Sequence, residues 1–225
     1  MTEGNAGRSP LDLWADRAST AQRNELERAA VALRRLLNHL HETDADGYEL
    51  APLADQLEAL AELAAELPVR VAPSSPADQF VDPEHLSFAD VSPMSGPGSG
   101  MAPPLRLSVD GNSVVGVVTF GEAFEGPPGH VHGGWIAAAF DEVQGMVQAL
   151  NETPGMTATL DVQYRQPTPL HVELTFRARV GRVSGRRIHT SATLHHGELL
   201  LCESQGLFIA VDFDKIRAMA AANQS

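Results

Sequence analysis

The sequence predicts an α+β protein in which an antiparallel sheet packs on one buried helix, preceded by a helical extension. Three observations carry this. Between His171 and Val180 polar and apolar residues alternate strictly, the period of a strand with one covered face. From Gly133 to about Leu150 that period is lost, and an alanine-rich segment is apolar on most sides, as a buried helix must be. Ahead of residue 68, leucines recur at steps of three and four.

The extension comes first. Residues 11–42 read as one helix, with Leu26, Ala29, Ala30, Leu33, Leu36, Leu37 and Leu40 on a single stripe. After a break at Asp44 to Gly47, a second stripe carries Leu50, Leu53, Leu57, Leu60, Leu63 and Leu67. Together they predict a helical hairpin over 1–67, packed on itself, on a second subunit or on the main domain. A lid over an apolar ligand is the sharper alternative. Residues 68–100 turn to Pro, Ser, Gly and Asp, with the run Ser92-Pro93-Met94-Ser95-Gly96-Pro97-Gly98-Ser99-Gly100 and no period of either kind. They read as a linker or as an ordered strap across a groove.

The sheet domain occupies 101–225. Leu105 to Val109 and Val114 to Phe120 flank Asp110-Gly111-Asn112, a hairpin signal. The alternating strand through Val180 continues past Ser184-Gly185 into Ile188, Thr190, Ala192 and Leu194, and after His196-Gly197 a last strand runs to about Val211. The helix from Gly133 interrupts this meander.

Charge narrows the function. The chain has 225 residues and a net charge of −13, which disfavours a surface that grips a phosphate backbone, so nucleic acid is not an expected partner. The excess is lopsided: residues 1–100 carry 7 basic and 17 acidic side chains, residues 101–225 carry 9 and 12. A single cysteine, Cys202, excludes an intramolecular disulfide and a cysteine-based zinc cluster. With no leader-like start and no run of 18 apolar residues, a soluble cytoplasmic protein is the default expectation.

The chemistry concentrates in Glu125-Gly126-Pro127-Pro128-Gly129-His130-Val131-His132-Gly133-Gly134, which leads directly into the buried helix. First-turn N–H groups of a helix have no intrahelical partner and carry the positive end of its dipole, and glycine lets a ligand approach them closely. This suits a carbonyl that becomes an oxyanion. Asp141 follows eight residues after Gly133 on the same helix, where a carboxylate among apolar neighbours is costly unless it has partners. A helix face reaching water is the plainer account of it. Eight residues span about 12 Å of helix. One helix therefore cannot bring both groups to one carbonyl, and if both act, two antiparallel copies must face each other in a dimer with two equivalent sites.

The run Gly126-Pro127-Pro128-Gly129 through His132-Gly133-Gly134 to Asp141, followed by Thr157-Ala158-Thr159-Leu160-Asp161-Val162-Gln163-Tyr164-Arg165-Gln166-Pro167, resembles the hot-dog-fold acyl-CoA thioesterases of the PaaI-like, 4-hydroxybenzoyl-CoA thioesterase superfamily. The form with Gly-Pro-Pro-Gly before His-Gly-Gly is the nearest, over roughly residues 101–213. The resemblance implies a curved sheet around the central helix and an assembly of at least two subunits. It implies hydrolysis of acyl-CoA to free acid and CoA without a further cofactor. Asp141 would serve as base or nucleophile, the Gly133 N–H would polarise the thioester carbonyl, Thr157 would assist the carboxylate or a water, and His132 would set the loop. Arg182, Arg186 and Arg187 around the Ser184-Gly185 turn, together with Arg165, are candidates for the CoA phosphates; solvated surface charge is their plainer reading. Many relatives place an amide side chain where this sequence has Gly126.

Two other readings stand beside hydrolysis. His130, His132, His195 and His196 could be drawn as a metal site, but no HExxH, cysteine pair or acidic third ligand accompanies them, so no metal is expected. A hydratase or dehydratase of the same fold would want a catalytic histidine paired with an acid. A non-catalytic acyl-CoA-binding or scaffold protein is the rival from another class, kept open by Gly126.

Overall fold

The computed structural model describes residues 19–69, 86–150 and 155–211. Two helices open it: α1 (Ala21–Glu42) and α2 (Gly47–Ala65). Thr20 caps α1 by accepting from the Arg23 N–H, and Asp46 with Glu49 forms a capping box on α2. The expected start of α1 at residue 11 lies partly outside the described residues.

The two helices behave differently. On α1, Ala30 and Arg23 are buried and Leu26, Leu36 and Leu40 are half-buried. No residue of α2 is buried, and Leu60, Leu63 and Leu67 are exposed. Its leucine stripe is therefore only partly covered among the described residues, with Leu50, Leu53 and Leu57 half-buried. α1 docks against the 3₁₀ turn at Glu122–Phe124, whose Ala123 N–H donates to Asn38 Oδ1 at 3.0 Å, and against the segment after residue 86. There a four-residue helix, α3 (Phe88–Val91), leads into a tight strap in which Ser87, Asp90, Ser92, Met94 and Ser95 are buried. Arg23 pairs with Asp90 at 3.1 Å, both side chains almost wholly inaccessible. Arg34 donates to the Ser99 carbonyl at 2.7 Å, and Leu26 and Leu33 lie against Gly98 and Gly100, where a Cβ would collide with them.

The sheet follows: β1 (Arg106–Asp110), β2 (Ser113–Val118), a 3₁₀ turn at Glu122–Phe124, α4 (Gly133–Ala149), then β3 (Gly155–Tyr164), β4 (Leu174–Ser184), β5 (Arg187–His196) and β6 (Leu199–Ala210). The spatial order is β1-β2-β4-β5-β6-β3, every pairing antiparallel. Gly111, Gly185 and Gly197 sit at positive φ in the three hairpin turns, where a Cβ would be strained. Register shifts with extra residues in β3, β4 and β6 bend the sheet. It curves around α4, giving the hot-dog fold.

One face of each inner strand packs on α4. Val114, Val118, Leu174, Phe176, Ala178, Ala192 and Leu194 meet Ile136, Ala139, Phe140, Val143 and Val147 of the helix in a single core. Phe140 and Phe176 meet edge to face with ring centroids 5.0 Å apart. Fully burying a Phe or Leu contributes about 1.5–3 kcal/mol. This core therefore fixes α4, and whatever α4 carries, against the sheet.

Candidate functional site

The loop that enters α4 is shaped by its own residues. Pro128 and Gly129 are the central residues of a turn closed by the His130 N–H on the Pro127 carbonyl at 2.9 Å. Gly129 has φ +74°, the second central position of a type II turn, which glycine fills without strain. Gly126 donates to the His130 carbonyl, Val131 to that of Thr168 and His132 to that of Phe124, so the Gly-Pro-Pro-Gly run forms a small hairpin pinned on both sides. It delivers His132 to the N-cap. There the His132 Nδ1 accepts from the Gly134 N–H at 3.0 Å, which leaves the proton of the neutral ring on Nε2.

Gly133 is the first residue of α4, and its N–H has no hydrogen-bond partner among the described residues. Its carbonyl is held: the Tyr164 hydroxyl donates to it at 2.8 Å. Partial burial pushes the Tyr164 phenol up, so it remains a protonated donor well into the alkaline range. The peptide plane that carries the Gly133 N–H is held by the His132 carbonyl, which accepts from the Trp135 and Ile136 N–H groups at 3.0 and 3.4 Å, so a bare N–H at a helix start is here a preset donor for an anionic oxygen.

Asp141 lies eight residues on and is half-buried rather than sealed in the core. Thr157 of β3 donates from Oγ1 to Asp141 Oδ1 at 2.8 Å. No partner within the described residues engages Oδ2, which leaves one carboxylate oxygen for a water or an acyl carbon. Asp141, Gln144 and Gln148 share one helix face at spacings of three and four. The fully buried Gln144 accepts from Thr190 at 2.6 Å and donates to Ser204 at 2.8 Å. Gln148 accepts from the Gly155 N–H at 2.8 Å and donates to its carbonyl at 3.3 Å. Three rungs thus register α4 against β3, β5 and β6.

The chain brings Asp141 to Thr157 and His132 to Gly133, but keeps the two pairs about 12 Å apart along α4. The arginines divide as well. Arg186 lies in the β4–β5 turn, Arg187 opens β5, Arg182 sits near the end of β4, and Arg186 Nε donates to the Ala210 carbonyl at 3.0 Å. Arg187 is in register with Ile209, which faces Met156 of β3. That row neighbours the buried Ile188 and Phe208 row, so it projects from the opposite face of the sheet. Arg165, at the end of β3, is paired with Glu203.

Sequence reasoning missed several groups. Tyr164 served only as a strand marker, and its grip on Gly133 had no local signal. Gln144 and Gln148 were legible as polar residues on the face of Asp141. Glu142 was unassigned; its Oε1 accepts from Ser92 at 2.7 Å and from Ser95 of the strap. Among the described residues no three His, Cys, Asp or Glu side chains gather as a metal site, and no helix is long and apolar enough to cross a membrane.

The thioesterase superfamily model matches residues 128–203, spanning the helix, β3, β4 and β5. An acyl-coenzyme A thioesterase THEM4 of Xenopus laevis is 36% identical over 91 residues, 40% of this chain and 41% of that protein. The Rattus norvegicus THEM4 is also 36% identical, over 93 residues covering 40% of each. The chain thus spans about two-fifths of the length of these curated relatives. Over a longer stretch, the crystal structure of RHA08564, a thioesterase superfamily protein, is 31% identical and superimposes with a TM-score of 0.73, covering 86% of this chain and 96% of that one.

Proposed function

This chain belongs to the thioesterase superfamily, and we propose that it hydrolyses acyl-CoA thioesters to free acid and CoA. The observation that carries the reading is the pairing of Asp141 with Thr157 on a helix whose first N–H, at Gly133, is unspent. Thioester hydrolysis needs an activated oxygen and a donor for charge developing on the carbonyl oxygen. Asp141 supplies the first. It takes a proton from water as that water adds to the carbonyl carbon, or adds itself through Oδ2 to give an anhydride that water then opens. Either way the C–S bond breaks and the CoA thiolate leaves and is protonated. The Gly133 N–H supplies the second requirement, and Thr157 holds Oδ1 so that Oδ2 faces the reacting centre.

Because the two groups stand apart within one chain, each site takes Gly133 from one subunit and Asp141 from another. The assembly is at least a dimer. The ten-residue edge strand β3, with no neighbour beyond it among the described residues and largely exposed, is the surface on which a second copy adds. For the CoA phosphates we assign Arg182, Arg186 and Arg187 over Arg165, whose charge Glu203 already meets.

One observation favours the non-catalytic acyl-CoA-binding reading. Gly126 packs so closely on His132 that an added Cβ would lie 2.7 Å from its Cα, so no orienting amide fits there without a shift. Thiol release measured on a series of acyl-CoA chain lengths separates the two. Turnover that falls at least about 100-fold in Asp141→Ala supports hydrolysis. CoA binding with no release from any chain length supports the binding protein.

A further inference from the structure

The geometry points to a positioning role for the N-terminal extension, exerted through Glu142 on the helix that carries Asp141; this rests on the reading of Asp141 as the acting group. The physical chain is short. Arg23 of α1 pairs with Asp90 in a buried ion pair. Asp90 Oδ2 accepts from the Ser87 N–H at 2.8 Å and hydroxyl at 2.9 Å, and the Asp90 carbonyl accepts from the Gly98 N–H at 2.8 Å. That winds the strap into a closed unit. From it Ser92, fully buried, and Ser95, nearly so, donate to the same oxygen of Glu142. The Ser92 Oγ is itself held by the Met94 and Ser95 N–H groups at 3.3 and 3.4 Å.

Glu142 follows Asp141 directly, about 100° around the helix. Asp141 is tied to the sheet through Thr157, whereas Glu142 is tied to the strap. Two anchors at adjacent residues, pulling to different sides, set the rotation of α4 about its own axis. That rotation decides where Oδ2 points. To the core and the rungs at Asp141, Gln144 and Gln148 that already hold α4, the strap adds a further tie directly beside the working carboxylate, where a misplacement of about 1 Å can cost up to 100-fold in rate.

The test uses the full chain with Ser92→Ala/Ser95→Ala, Glu142→Ala and Glu142→Gln, read by thiol release and by amide hydrogen exchange along α4. Expected are a roughly 10-fold fall in kcat with KM within about 2-fold for the first two variants, and exchange from Ala139 to Met146 at least about 10-fold faster. Glu142→Gln, whose amide oxygen still accepts both hydroxyls, restores kcat to within about 3-fold of wild type. An unchanged kcat in the double serine variant overturns the proposal. So does Glu142→Gln as inactive as Asp141→Ala, which would make the carboxylate chemical rather than positioning. If Glu142→Ala does not fold, Ser95→Ala alone carries the comparison. Should wild type release no thiol, the hydrolase reading fails, and exchange alone decides: faster exchange supports the latch and unchanged exchange removes it.

Discussion

Thr157 Oγ1 donates to Asp141 Oδ1 across 2.8 Å, joining the edge strand to the central helix at the one carboxylate the sequence singles out. The bond sits just before the register shift at Thr159, where β3 bends. A strand bent there aims its hydroxyl at the helix.

Thr157→Val keeps the shape of the side chain and removes the donor. The expected result is a fall in kcat of roughly 10–100-fold with KM little changed, while Thr157→Ser stays within about 5-fold of wild type. Steady-state thiol release on all three proteins checks it. A Thr157→Val enzyme with wild-type kcat would show that Asp141 needs no such partner.

Gln148→Ala removes both bonds to Gly155, two residues before Thr157, and leaves a half-buried N–H and C=O without that partner. Each unsatisfied buried group costs about 1–3 kcal/mol. Urea unfolding should show a loss in that range, and kcat should fall with it because Thr157 loses its register. Equal stability in the two proteins would contradict the clamp.

At Gly206 an added Cβ would stand 2.5 Å from both Gln144 Oε1 and Thr190 Oγ1, which are themselves hydrogen-bonded and fully enclosed. Neither can swing away without orphaning the other. Gly206→Ala is expected to lower stability by about 1–3 kcal/mol, seen as a reduced urea midpoint. A neutral substitution would mean the network yields freely.

Cys202 gives the pH dependence. Burial pushes its thiol up from the ordinary value, with the Thr168 hydroxyl partly opposing. In the unfolded chain the thiol ionises near about 8.5. Between that value and the higher native one, the unfolded chain binds fewer protons than the native chain, so stability falls as pH rises through the window and is intact below it. Urea unfolding at about pH 7.5 and pH 10 should show a larger loss for wild type than for Cys202→Ala. Equal losses would assign the slope to other groups.

Much of this molecule was legible because its signals are local. The strict alternation through Val180 and the glycines at 111, 185 and 197 announce strands and hairpins, since side-chain period and positive φ are decided within a few residues. Boundaries moved: the strand expected from His171 begins at Leu174, and the one expected to end at Phe120 ends at Val118, where the chain turns toward the 3₁₀ segment. Asp141 stood out because a carboxylate in an apolar helix is unusual. The partners of that helix did not. Tyr164 reaches Gly133 across 31 positions, and Ser92 reaches Glu142 across 50. Periodicity carries no trace of contacts formed only when distant segments fold together.

On the proposed reading, in which each site takes Gly133 from one subunit and Asp141 from another, the site is divisible between two variant chains. Gly133→Pro deletes the N–H alone, at the first helical position, where proline is at home; His132 before it already has φ −61° and ψ 131°, which a following proline prefers. Asp141→Asn deletes the base alone. Each parent is expected to be inactive. Unfolded together and refolded as an equal mixture, about half the dimers pair unlike chains, and each such pair holds one doubly damaged site and one wholly intact. About a quarter of wild-type activity should then return from two dead proteins.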